Sequence, residues 1–159
     1  MTPAPDAPDV SNAAAWPPPS PSRGDVEIVL HRERAIHPQD IAHLFAEAGW
    51  WPARTSSIIA AMLDGSVAVG AWRNDQLIGF ARAVSDGAAR AYVEDVVVTQ
   101  TERRAAVGGR LIDALLKQLA HIPVVSLFCT ADLVGFYGRH GFHRTHQVVM
   151  HRESTGSGS

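Results

Sequence analysis

The 159-residue sequence has one cysteine, Cys129. A single thiol supports neither an internal disulfide framework nor a multi-cysteine zinc site. No apolar run approaches the roughly 18 residues of a membrane span. The start lacks the basic stretch and apolar core of a secretory signal, so a cytoplasmic protein is expected. Neither sign of charge dominates: 14 Lys and Arg stand against 16 Asp and Glu, a net charge of −2. That balance lacks the basic surplus of a nucleic-acid binder. Two phosphate-binding signatures are also missing. No Gly-Lys-Ser/Thr follows a glycine-rich loop, and the glycine spacing of the dinucleotide fingerprint is absent. What remains is a globular composition, 46% apolar and 19% charged, in a chain long enough for one domain with a real core.

Residues 1–24, rich in Pro, Ala and Ser, show neither helical nor strand periodicity. They read as a disordered or loosely docked arm that Trp16 could anchor, or as a Pro-rich ligand. Residues 153–159 read as a flexible tail. Between them, 25–152 read as one domain. "VEIVL" (26–30) suggests a strand. Residues 37–49 place Ile41, Leu44, Phe45 and Ala48 on one helical face and stop at Gly49. Residues 55–63 open with capping residues and read as a second helix. Residues 66–73 and 76–84, joined by Asn-Asp, read as a hairpin. A strand at 91–98, a helix with Val107, Leu111, Leu115 and Leu119 in one stripe, a strand at 124–128, a short helix at 131–141 and an alternating last strand at 142–152 complete the order. This is a mixed α/β sheet with antiparallel strands in its middle.

Chemistry concentrates in three stretches. "RRAAVGGRL" (103–111) puts small residues and Arg103 and Arg104 at a helix start. Free backbone N–H groups and the helix dipole there can hold an anion, although glycines for packing and solvated arginines explain the pattern equally. "YVEDVVV" (92–98) sets Glu94 and Asp95 in an apolar strand, on opposite faces if the alternation is regular. Buried acids need a partner such as Arg82 or Arg90, or a cleft to face. "FYGRHGF" (136–142) offers Tyr137, an acid of ordinary pKa about 10 or simply a core tyrosine beside Leu133 and Phe136. Trp50 and Trp51 could stack on an aromatic or cationic amine, or pack. The eight histidines, including His143 and His146, show no convincing ligand spacing, and no metal is expected.

"VTQTERRAAVGGRL" resembles the acyl-CoA-binding motif of the GNAT N-acetyltransferase superfamily, Arg/Gln-x-x-Gly-x-Gly/Ala, which falls on Arg103, Ala106 and Gly108. "FYGRHGF" is similar to that family's late Tyr-x-x-x-Gly-Phe signature. The resemblance covers about residues 26–150. It implies a GNAT-like α+β fold: a mostly antiparallel sheet of about six to seven strands, splayed between strands 4 and 5 and flanked by about four helices. It further implies acetyl transfer from acetyl-CoA to a primary amine by direct attack in a ternary complex, with no metal, and a homodimer of the kind many relatives form. Carried over, the pyrophosphate would lie on backbone amides of Arg104, Ala105, Ala106, Val107, Gly108 and Gly109, with Arg103 and Thr130 nearby. The pantetheine arm would pair with Val96, Val97 and Val98, and a backbone N–H of Val96 or Val97 would serve the oxyanion. Tyr137 would be the general acid and meet the cofactor. Glu94 would be the base, acting through water, and Asp95 a substrate or structural ligand, or the base in its place. Trp50, Trp51, Glu94 and Asp95 would face the acceptor. A looser likeness to arylalkylamine acetyltransferases points to an arylalkylamine or similar small amine. A non-catalytic acyl-CoA sensor, an enzyme acting on a protein or peptide amine, and a small interaction module are the competing readings. The chain departs from the family pattern at Gln100, where proline is common, at Thr130, where asparagine is common, and at Ala106, where the first glycine usually stands. Alanine suits right-handed helical backbone, so weaker cofactor binding is the most this last change is expected to cause.

Overall fold

The computed structural model describes residues 24–51, 53–103 and 105–152. Apart from Gly24, the N-terminal arm and its Trp16 lie outside these residues, as do the 153–159 tail and Arg104. Five strands lie side by side in chain order: β1 (Val26–Leu30), β2 (Val67–Arg73), β3 (Gln76–Ser85), β4 (Arg90–Val98) and β5 (Val124–Leu127). The first four pair antiparallel, and β5 joins β4 in parallel. Helices α1 (Pro38–Ala48) and α2 (Ser56–Asp64) separate β1 from β2. Helix α3 (Val107–Gln118) links β4 to β5, and α4 (Val134–Gly138) follows β5.

Local chemistry explains these limits. Pro38 opens α1, where a missing N–H costs nothing. Gly49 ends it at φ 73°, and the Trp50 N–H turns back to the Phe45 carbonyl at 2.8 Å. Thr55 caps α2 by accepting from the Ile58 N–H at 3.4 Å. Asn74, at φ 55°, turns the chain tightly between β2 and β3.

The sheet buries both faces. On one, Ile41, Leu44 and Phe45 of α1 and Ile59 and Leu63 of α2 pack on Trp72, Leu77, Phe80 and Val97. On the other, Val107, Leu111, Ile112 and Leu115 of α3 pack on Ala81, Ala83, Ala91 and Val93, with Tyr137 of α4. Each large side chain so buried contributes about 1.5–3 kcal/mol. Small residues in the central strands let α3 approach closely. A Cβ on Gly79 would stand 3.1 Å from Leu111 Cδ1 and 3.2 Å from the Val97 oxygen. Among the described residues no helix is long and apolar enough to cross a membrane.

The sheet has fewer strands than expected, because 142–152 forms none. Val148 and Met150 are 83% and 90% exposed. Alternation marks a strand only where a neighbouring edge takes its hydrogen bonds and a core takes its apolar face. Phe142 packs on the core, but among the described residues no strand edge takes the hydrogen bonds of this segment.

Candidate active site

β4 carries the site, and two irregularities shape it. The first is a bulge. Gly79 and Phe80 of β3 oppose Val98 and Val97, but Arg82 opposes Glu94, so β4 holds one extra residue. Asp95 absorbs it in left-handed backbone, φ 51°. The regular alternation expected for Glu94 and Asp95 is thereby lost. Glu94 stands opposite Arg82, and Asp95 reaches the same Arg82, so both carboxylates belong to the α1/α2 side of the sheet.

The second irregularity is a parting of strands. β4 and β5 pair from Arg90/Val124 to Val93/Leu127 and no further. Beyond that point Glu94 to Val98 presents a backbone edge with no neighbour on the β5 side among the described residues. Val96 and Val98 lean on the α3 core, while Val97 is buried against α1 and α2.

Asp95 is one of the few buried ionic side chains, 2% exposed. Arg54, from the α1–α2 connection, donates Nη1 to both its oxygens at 3.0 and 3.1 Å. Arg82 donates Nε to Oδ2 at 2.6 Å. A carboxylate so engaged is fixed in place and ties the bulge to both arginines. Glu94 is half-buried, and no described residue donates a hydrogen bond to its carboxylate. Of the two acids, Glu94 is therefore the one whose carboxylate no described residue engages. Arg82 was a foreseeable partner for a buried acid. Arg54 carried no signal, because its role depends on the bulge.

Arg54 also closes a cavity of about 370 Å³ lined by Phe45, Gly49, Trp50, Trp51 and Ile59. Its guanidinium lies 4.2 Å from the Trp51 ring centroid and 5.5 Å from that of Phe45. Trp51 itself is in left-handed backbone, φ 48°. A larger cleft of about 430 Å³, lined by Asp40, His43, Asp75 and Gln76, contains none of the residues expected to act.

Past β4 the chain makes a short 3-10 turn, Gln100–Glu102, and enters α3. Ala106, the first cap of that helix, has φ 59° and ψ 7°. It is left-handed, not the right-handed backbone expected from the sequence, and this is the conformation a glycine takes without strain. The N–H groups of Ala106, Val107, Gly108 and Gly109 find no acceptor among the described residues; the first helical bond of α3 comes from Arg110 to Ala106, at 3.1 Å. Four such donors at a helix start are able to hydrogen-bond an anion. Ala105 and Arg103 are exposed beside it.

This turn is held from both sides by residues the sequence did not single out. Glu47 of α1 accepts the Gln100 N–H at 2.6 Å. Glu102, 6% exposed in its side chain, pairs with Arg73 Nη2 of β2 at 2.8 Å. A glutamate within "QTERR" resembles a solvated charge, and only β2 arriving beside it makes it a strut.

Tyr137 is almost fully buried in α4, edge-on to Phe136 at 4.9 Å and to Phe142 at 6.1 Å. Burial, and then the Cys129 thiol, push its pKa above the usual 10. It therefore stays a proton donor throughout the neutral range. No described residue hydrogen-bonds its hydroxyl. Thr130 is exposed at the start of the turn leading to α4. Among the described residues no three His, Cys, Asp or Glu side chains gather as a metal site.

The profile of the Acetyltransferase (GNAT) family matches residues 30–142. An uncharacterised N-acetyltransferase of Pyropia yezoensis is 30% identical over 122 residues, covering 73% of this chain and 70% of that protein. A GNAT-family acetyltransferase from Streptococcus pneumoniae superposes with a TM-score of 0.67 at 26% identity, covering 81% of this chain and all of that one. An aminoglycoside N-acetyltransferase solved in complex with CoA superposes at 0.61 and 17% identity over 85% of this chain and 99% of that one, a likeness of fold alone.

Proposed function

The chain belongs to the acetyltransferase (GNAT) family, and on that premise we propose that it transfers the acetyl group of acetyl-CoA to a small primary amine by direct attack in a ternary complex. The observation that carries this reading is the free edge of β4 from Glu94 to Val98, which runs into four unpartnered N–H groups at the start of α3. A strand edge suits the amide groups of pantetheine, and a helix start suits its pyrophosphate. Arg103, exposed beside them, adds positive charge there. Trp50 and Trp51, beside the cavity at Arg54, favour an aromatic acceptor.

In the proposed reaction the acceptor ammonium first loses a proton, through water, to Glu94. The neutral amine attacks the thioester carbonyl, forming the C–N bond. A backbone N–H at Val96 or Val97 stabilises the oxyanion. As the C–S bond breaks, the sulfur takes the Tyr137 proton. The attacking nitrogen gives up its second proton, which restores the Tyr137 hydroxyl through water. Glu94 releases its proton to solvent, so that one ammonium yields the amide, the CoA thiol and one solvent proton. Asp95 holds the bulge that sets this geometry.

Two measurements test the reading. CoA at 100 times its dissociation constant should stabilise the fold by about 2.7 kcal/mol. Release of free CoA thiol should depend on an added amine. A thermal shift without turnover of any amine or peptide would favour the sensor reading. Absence of both would refute acetyl transfer. Light scattering tests whether the chain forms the homodimer that the resemblance implies.

A further inference from the structure

Arg54 makes fewer hydrogen bonds than its position invites. Nη1 is spent on Asp95, yet Nε and Nη2 meet no described acceptor, and the side chain, 21% exposed, lines the aromatic cavity. Arg82, 9% exposed, is the inner partner of the same carboxylate. Two guanidiniums share one carboxylate, so the cluster carries an excess positive charge. Glu94, the other β4 acid on this side, forms no ion pair with either among the described residues. The excess therefore lies at the cavity, on Arg54. Its neighbour Trp51 holds a left-handed backbone that bulky residues rarely adopt, in contact with this guanidinium. Strain retained at a cavity wall points to a use for that wall.

We propose that the acceptor is an aromatic amine that also bears a carboxylate, an aryl amino acid or a close analogue, and that Arg54 is the residue selecting it. The ring packs among Phe45, Trp50 and Trp51, and the carboxylate takes the free donors of Arg54. A guanidinium suits this role because its planar fork meets a carboxylate with parallel hydrogen bonds. The carboxylate also balances the excess charge, which an unsubstituted arylalkylamine cannot do. Arg54 is tied to the β4 bulge through Asp95, and Glu94 is the next residue. An amine one carbon from the bound carboxylate is thereby directed to the base and to the free edge of β4. This inference rests on the acetyl-transfer reading and narrows its substrate class.

The test compares L-phenylalanine with phenethylamine, which share a skeleton and differ by the carboxylate, with tryptophan/tryptamine and tyrosine/tyramine as further pairs. CoA-thiol release gives kcat/KM for each. The wild type should prefer the amino acid by about 10–100-fold, the worth of a charge-assisted fork. Arg54→Met should bring the ratio close to one, and Arg54→Lys should keep part of it. The ratio cancels any general loss of stability, and the lysine variant serves if the methionine variant does not fold. Equal or reversed preference in the wild type, a ratio indifferent to Arg54, or no turnover of any pair while CoA still raises the melting temperature would each overturn the proposal and leave CoA binding standing. If CoA produces no shift either, both readings fail.

Discussion

Ala106→Gly offers a test that needs no substrate. Ala106 occupies left-handed backbone at φ 59° and ψ 7°, as the cap from which α3 starts. For an L-residue that conformation costs about 1–2 kcal/mol. Glycine removes this cost, but its freer unfolded chain returns about 0.4–1 kcal/mol of it. The net expectation is a stabilisation of about 0.5–1 kcal/mol, or roughly 1–4 °C in melting temperature for a domain of this size. Ala105 is the control, because its backbone is not left-handed. Ala105→Gly should therefore destabilise by a comparable amount. Thermal denaturation of both variants, with and without CoA, reads the two signs directly. CoA should also bind Ala106→Gly at least as tightly, since the four free N–H groups keep their arrangement without strain. A lower melting temperature for Ala106→Gly, or equal behaviour of the two variants, would refute the argument.

Tyr137→Phe keeps the ring that packs on Phe136 and Phe142, so melting temperature and KM should hold while kcat falls about 10²–10⁴-fold; a normal kcat would leave Tyr137 as a core residue only. Glu94→Gln should depress turnover chiefly below the pKa of the amine, where a base is needed, and an unchanged pH–rate profile would remove Glu94 from the chemistry. Asp95→Asn leaves two guanidiniums facing a neutral amide, and because Arg82 is buried and Arg54 only partly exposed, calorimetry should show a loss near 3 kcal/mol; a neutral outcome would mean that the bulge does not depend on the pair. The Asp86 carboxylate accepts the N–H groups of Ala88, Ala89 and Arg90 at 2.8–3.1 Å, which lowers its pKa from 3.8 to about 2. A depressed pKa stabilises the fold above the unfolded value, and the effect fades as pH falls from about 4 to 2. Asp86→Ala should therefore lower the melting temperature at pH 7 and narrow its gap to the wild type at pH 2; a constant gap would contradict this origin.

The sequence by itself determined the elements whose signals are local. Pro38, Gly49 and Thr55 mark the ends of helices at the positions observed. The stripe of Val107, Leu111, Leu115 and Leu119 buries against the sheet as its period requires. The same locality made "RRAAVGG" and "FYGRHGF" recognisable, since each motif is a short contiguous run of residues. Tertiary structure decided what depends on a partner distant in the chain. One extra residue in β4 defeats the period of two, and nothing within "YVEDVVV" announces it, because the bulge is held by Arg82 across the sheet and by Arg54 from another connection. The 3-10 turn at Gln100–Glu102, which leads into Ala106, is likewise held by Glu47 and Arg73, from α1 and β2. The alternating 142–152 segment shows the converse: its pattern permits a strand, but a strand exists only where another edge accepts its hydrogen bonds, and that edge is not encoded in the segment itself.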